Sequence, residues 1–207
     1  MYREQPLQDY LDELASAQPA PGGGSASALS GAMAAALASM ICRLTLGKAG
    51  YEEAQPEIEK ILERTEQLRE RFTELLEEDI AAYGRLSASY KLPRATDEER
   101  AARSDDIQKH LVGAAEVPLE MVECAARLSH FLKRIAEIGN TALLSDLVTA
   151  VALAGTGAQG AAAMVRVNLR FMRDTTRANE LQSRLEAALR LVEEDSLPVA
   201  EIVGRRA

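Results

Sequence analysis

Pro19-Ala-Pro-Gly-Gly-Gly-Ser-Ala-Ser-Ala-Leu-Ser-Gly-Ala-Met33 decides how the rest of the chain is read. Two prolines stiffen the approach, and three glycines, Gly22, Gly23 and Gly24, allow backbone angles and contacts that side chains forbid. A run of small residues then continues without a charge as far as Arg43. Ser25 stands where an N-cap belongs, which predicts a helix from about Ser25 to Leu46 whose first N–H groups face an open loop. Such an end suits an anion or a polar ligand atom; the alternative is an ordinary capped turn. The stretch lacks the Lys-Ser/Thr of a phosphate-binding loop. Ala28, Ala32, Ala36 and Ser39 fall on one side of the predicted helix and let another helix approach closely.

Outward from this stretch the apolar residues recur at helical spacing throughout, and no segment alternates as a strand does. Leu7, Tyr10, Leu11 and Leu14 predict a short helix ending near Ser16. Ile58, Ile61, Leu62, Leu68, Phe72, Leu75, Leu76 and Ile80 stripe a long helix from about Pro56 to Tyr90, stopped by Leu92-Pro93. Thr96-x-x-Glu99 is a capping box that opens a fourth. Pro118 predicts a break or kink, with a fifth segment running to Ile138. Gly139-Asn140 is a turn signal, and a sixth helix starts near Thr141 and loosens around Gly155-Thr-Gly157. A seventh is expected over about Gly160 to Arg173 and an eighth over about Arg177 to Glu194. The fold class is therefore all-α, a two-layer bundle of about eight helices in a single domain over 1–207. The two small-residue helices need flat partners, and a second copy of the chain, in a homodimer, is the expected source of one.

Composition narrows the function. The 207 residues carry a net charge of −8, which disfavours a general nucleic-acid surface. Cys42 and Cys124 lie far apart, with no Cys-x-x-Cys and no nearby His pairing, so no metal site is expected and both read as reduced thiols of a cytoplasmic protein. The acidic N-terminus is unlike a signal peptide. Two uncharged runs, Ser25–Cys42 and Leu147–Val165, reach membrane-spanning length but hold mostly Ala, Gly, Ser and Thr, and are read as buried helices rather than membrane spans.

Nearly the whole chain resembles the formiminotransferase-cyclodeaminase C-terminal domain and its stand-alone bacterial relatives. The resemblance runs in order through Leu7–Ser16, Ala20-Pro-Gly-Gly-Gly-Ser25, Ser39-Met40, Leu44-Thr-x-Gly47-Lys48, Glu78-Asp79 and Ala82-Tyr83. It continues through Leu92-Pro93, Thr96-x-Glu98-Glu99, Arg103, Gln108, Val117-Pro118-Leu119, Gly139-Asn140, Ser145-Asp146-Leu147 and Val165-x-Val167-Asn168-Leu169, with Asp174 beyond. One position departs: Met164 stands where the family pattern has Asn.

The resemblance implies folate one-carbon chemistry with no separate cofactor, the tetrahydrofolate derivative being the substrate. Cyclodeamination closes N10 of 5-formiminotetrahydrofolate onto the formimino carbon and expels ammonia; the alternative, cyclohydrolysis, opens the methenyl cation with water. A separate formiminotransferase is a candidate supplier of the first substrate. Both reactions need a proton shuttle and involve a delocalised cation, and a carboxylate serves each need. Asp79 and Asp146 are the catalytic candidates. Asp79 otherwise reads as a solvated acid beside Glu77 and Glu78, and Asp146 as a salt-bridge partner. The glycines, Ser25 and Tyr83 are substrate-binding candidates, and Asn140 and Asn168 suit the pterin amide edge. Their alternatives are an N-cap for Asn140 and a helix–helix hydrogen bond for Asn168. Arg166, Arg170, Arg173 and Arg177 share one face if the helix persists through Thr175, and could hold an anionic glutamate tail, with Lys48 and Arg103 as further candidates. A solvated face is the alternative.

Overall fold

The computed structural model describes residues 1–206, apart from the side chain of Arg3; Ala207, the last residue of the expected domain, lies outside the described residues. Six α-helices follow one another: α1 (Leu7–Leu14), α2 (Gly23–Arg43), α3 (Gln55–Tyr90), α4 (Asp97–Ile138), α5 (Leu144–Phe171) and α6 (Thr175–Arg206). Three short 3-10 turns accompany them, and there is no strand among the described residues. The all-helical reading holds, and the count falls from about eight to six because two expected breaks are absent.

The first is at Pro118, which lies inside an unbroken 42-residue α4. A proline cannot donate to the carbonyl four residues back, here that of Ala114. Asn168 of α5 supplies the missing donor: its Nδ2 reaches the Ala114 oxygen at 2.7 Å. The second is at Gly155-Thr-Gly157, where α5 runs straight through. A methyl at Gly157 would sit 2.8 Å from the Ser27 carbonyl oxygen, and one at Gly160 would sit 2.3 Å from Ser27 Oγ. These glycines let α5 lie against α2 rather than end a helix. Gly31 does the same on another side of α2, where a methyl would meet the Phe72 ring of α3 at 2.4 Å.

Helices α2 to α5 form a ring in which each packs on the next and α5 returns to α2, while α6 covers α4 and α5. The core runs along this ring through Ala28, Ala35, Ile41, Phe72, Leu128 and Leu147. Helix α2 stops at Arg43 with Leu44 as its C-cap, short of the expected Leu46, and Gly47 (φ +71°) and Gly50 (φ +87°) take the left-handed conformation further on, in the loop to α3.

The helices differ in length, and that difference makes room for a site. At 1.5 Å per residue, the 36 residues of α3 span about 54 Å against about 32 Å for the 21 of α2. The α3–α4 hairpin therefore extends past the start of α2 and carries its own small core of Leu86, Leu111 and Ala114.

Candidate active site

Gly22, not Ser25, is the N-cap of α2, with extended backbone (φ −149°, ψ −160°). Ser25 is the third residue of the helix and closes the cap from inside: its Oγ donates to the Gly22 carbonyl at 2.9 Å and accepts from the Gly22 N–H at 3.2 Å. The Tyr10 hydroxyl lies 3.1 Å from the same Oγ. Ser25 is fully buried, so its hydroxyl holds the loop and anchors α1.

Where the α3–α4 hairpin passes the start of α2, it leaves a cleft of about 220 Å³. Gly22, Gly23 and Gly24 form one wall with Pro19 and Ala20; Asp79, Ala82, Tyr83 and Leu86 of α3 form a second; Ala114 of α4 with Met164, Val167 and Asn168 of α5 completes it. Asp79 and Tyr83 are four residues apart and so share a helix face. The Asp79 carboxyl accepts a hydrogen bond from the Ser25 backbone N–H, one of the unpaired donors of the α2 terminus. Burial nevertheless pushes it up from the usual carboxylate range to about 6, the hydrogen bond only tempering the shift. Burial also raises the Tyr10 hydroxyl, and the Asp79 charge adds to that effect.

Gly24 is the residue on which this arrangement depends. A methyl built there would lie 2.2 Å from Asp79 Oδ1 and 2.5 Å from its Cγ. Only glycine lets the carboxyl press against the helix terminus. The neighbouring acid has a different setting: Glu78 is held by Arg71, at 2.6 and 3.1 Å, and the same guanidinium takes Glu120 of α4 at 2.7 and 2.9 Å.

Of the remaining candidates, Lys48, Asn140 and Arg103 lie away from the cleft and Asn168 lies in its wall. Lys48 and Asn140 meet each other, Nζ to Oδ1 at 2.6 Å. Asn140 is buried; its Oδ1 accepts from the Ala142 N–H (3.1 Å), its Nδ2 donates to the Leu44 carbonyl (3.0 Å) and its backbone N–H donates to Thr45 Oγ1 (3.0 Å). Arg103 donates to the Tyr90 carbonyl and stacks over the Tyr90 ring at 5.8 Å. Asn168 lines the cleft with its Nδ2 committed to the carbonyls of Ala114 and Met164.

The four-arginine stripe does not form, because α5 stops at Phe171 and Met172 is extended. Arg177 starts α6 and pairs with Glu116 and Glu180, leaving Arg166 and Arg170 on the exposed side of α5. Asp146 is in the first turn of α5. Eighteen residues, five full turns, separate it from Met164, so it lies on the same side of the helix as the cleft but about 27 Å away. The sequence reading omitted Met164, Val167, Ala114 and the Pro19–Ala20 wall. Met164 had a signal, being the one departure from the family pattern. Among the described residues no group of three or more His, Cys, Asp or Glu gathers as metal ligands.

A profile of the formiminotransferase-cyclodeaminase family matches residues 6–187. The methenyltetrahydrofolate cyclohydrolase of Methylorubrum extorquens is 40% identical over 183 residues, 88% of each chain. The formimidoyltransferase-cyclodeaminase of Rattus norvegicus is 31% identical over 198 residues, and the chain spans only 36% of that longer protein. The crystal structure of formiminotetrahydrofolate cyclodeaminase from Thermotoga maritima superposes with a TM-score of 0.89 at 30% identity, covering 99% of this chain and 98% of that one. On sequence and on fold alike, the chain belongs to the formiminotransferase-cyclodeaminase family.

Proposed function

We infer that the chain is a folate one-carbon enzyme acting at the carbon between N5 and N10 of tetrahydrofolate, with formiminotetrahydrofolate cyclodeaminase as the leading reading. The observation that carries it is the Asp79 carboxyl, brought to about 6 in a cleft against the α2 terminus. A group titrating near neutrality is suited to taking up and giving back a proton in one turnover.

In cyclodeamination N10 adds to the carbon of the formimino group, whose nitrogen is protonated, forming a tetrahedral centre. Asp79 takes the proton from N10 and returns it to the amino nitrogen, the C–N bond breaks, ammonia leaves and the methenyl cation remains. The carboxylate's charge also favours that cation. The reaction moves protons and an amine and transfers no electrons, so we assign it no cofactor. A second reading, methenyltetrahydrofolate cyclohydrolase, is favoured by the 40% identical relative of that name; there the same carboxylate takes a proton from water adding to the same carbon.

The cleft of about 220 Å³ is smaller than the ~300–1,000 Å³ of a site enclosing a drug-sized ligand. It fits the ring carrying the one-carbon unit, with the rest of the folate outside, where Arg166 and Arg170 are candidates for its acidic tail. We further assign a homodimer, a cytoplasmic location and a separate formiminotransferase as supplier of the formimino substrate. Absorbance at the methenyl band tests the function: a rise with 5-formiminotetrahydrofolate supports cyclodeamination, a fall with methenyltetrahydrofolate supports cyclohydrolysis, and no change with either removes both.

A further inference from the structure

Helices α2 and α3 run antiparallel, and three contacts fix their register. Ser39 Oγ meets Thr65 Oγ1 at 2.8 Å, Gly31 lies against the Phe72 ring, and Gly24 lies against the Asp79 carboxyl. The α3 members of these pairs are seven residues apart, two turns of one face. That face continues. Tyr83, Leu86 and Tyr90 stand four, seven and eleven residues beyond Asp79, within about 40° of it around the helix. Helix α2 begins at Gly23, so it does not reach them. Tyr83 is 43% exposed and Tyr90 47%, where Phe72 on the same face is 1% exposed. At the far end Arg103 of α4 stacks on the Tyr90 ring at 5.8 Å. Its Nε and one Nη donate to the Tyr90 carbonyl, and among the described residues no carboxylate lies within ion-pairing distance of it.

We propose that this uncovered length of α3 is a binding track for the aminobenzoyl-glutamate half of a folate whose reacting ring sits at Asp79: the benzoyl ring lies on Tyr83, and a glutamate carboxylate pairs with Arg103. The proposal deepens the folate reading of the Asp79 cleft and rests on it. Three observations select this occupant. The track is continuous with the cleft, Tyr83 and Leu86 belonging to both. The order of groups matches: a carboxyl, then an aromatic face one turn on, then a cation, against a one-carbon unit, then the aromatic ring bonded to N10, then a carboxylate. The lengths match as well. Tyr83 lies about 6 Å from Asp79 along the axis and Tyr90 about 16 Å, and each extended glutamate adds about 3.5 Å, so the first glutamates of the tail come within reach of Arg103.

Each end of the track suits its half of the ligand. Tyr83 offers a ring on which a second ring can pack in an offset or edge-on arrangement. The Arg103 guanidinium is already stacked and tied through one edge, so its free edge can take a carboxylate with little further loss of rotamer freedom. That pairing is exposed, and salt weakens it. The small hairpin core of Leu86, Leu111 and Ala114 backs the track. This direction gives the first carboxylates of the tail to Arg103, rather than to Arg166 or Arg170 on α5.

Two measurements test it. In steady-state kinetics Arg103→Met should raise KM for the folate substrate about tenfold, in the range of one charge-assisted hydrogen bond, and the rise should be absent with the matching tetrahydropteroate, which has no glutamate. Arg103→Lys, which keeps a cation, should show the same dependence on glutamate at smaller size. Tyr83→Ala should raise KM for both substrates, and Tyr83→Phe, which keeps the ring, should recover most of the loss. A parental KM in Arg103→Met, equal losses on the two substrates in both Arg103 variants, or a glutamate-dependent loss in Arg166→Ala or Arg170→Ala without one in Arg103→Met overturns the track. The second measurement needs no turnover. p-Aminobenzoyl-triglutamate, titrated calorimetrically at low salt, should bind the parent and bind Arg103→Met about tenfold more weakly. No binding to the parent, or equal binding to both, overturns the track. Binding that depends on Arg103, in a protein inert toward both folate substrates, supports the track and removes the catalytic reading of the cleft instead.

Discussion

Asp79 as a catalytic candidate and Asn140 as a substrate-binding one were both named from sequence, and the corners they occupy turn out to be opposites. At Asn140 every polar group is turned inward. The side chain accepts from Lys48 and from the Ala142 N–H and donates to Leu44, and the backbone N–H is taken by Thr45. At Asp79 one carboxylate has a single backbone donor, a cleft beside it and a raised affinity for its proton. A polar group whose partners are all within the chain stabilises the fold. One that is left short of partners beside open space is poised for chemistry.

The sharpest way to break this comparison is Asp79→Asn. Turnover should fall by roughly 10²–10⁴-fold, while stability should move the other way. The folded carboxyl titrates at about 6 against 3.8 unfolded, so its ionisation opposes folding as pH rises through that window. The parent should lose on the order of 2 kcal/mol between about pH 4 and pH 7, and the Asn variant should not. Melting curves at pH 4 and pH 8 check the sign: equal at the lower pH, the variant several degrees higher at the upper. The parent's turnover should rise with pH through about 6, as the base loses its proton.

Next in size is Gly24→Ala. The added methyl occupies the place of the Asp79 carboxyl, so the carboxyl must shift by an ångström or more. That displacement should lower kcat by about 10²-fold, as read in steady-state kinetics alongside an unchanged helical signal in circular dichroism. The smallest effect on rate belongs to Asn140→Ala, whose lost hydrogen bonds should cost about 1–3 kcal/mol in denaturant unfolding and leave kcat within a few-fold. Loss of rate without loss of stability there would erase the distinction between the corners.

Much of the fold was legible because it is written in helical periodicity and caps. The Thr96–Glu99 capping box opens α4 as expected, with Glu99 N donating to Thr96 Oγ1 at 3.1 Å. The long stripe of α3 was read within a residue of its ends. The misreadings come from glycine and proline, whose local preferences are ambiguous. Gly157 and Gly160 carry no mark that distinguishes a loosened helix from a close crossing, because the deciding contact is with Ser27, more than a hundred residues away. The site was half legible for the same reason. Asp79, Tyr83 and the glycines belong to compact motifs. The Met164–Val167 wall and the carboxyl's dependence on Gly24 exist only once α5 and α3 meet at the start of α2.

Pro118 and Asn168 carry a consequence for how this sequence can change. The proline removes a donor from Ala114, and the asparagine fifty residues later on another helix restores it. Neither residue's value is its own. Losing Asn168 alone leaves a carbonyl without its donor, whereas once Pro118 has become a residue with an N–H the same loss is softened. The two positions form one unit of epistasis: a lineage that drops the proline frees its asparagine to drift, and with it one wall of the cleft.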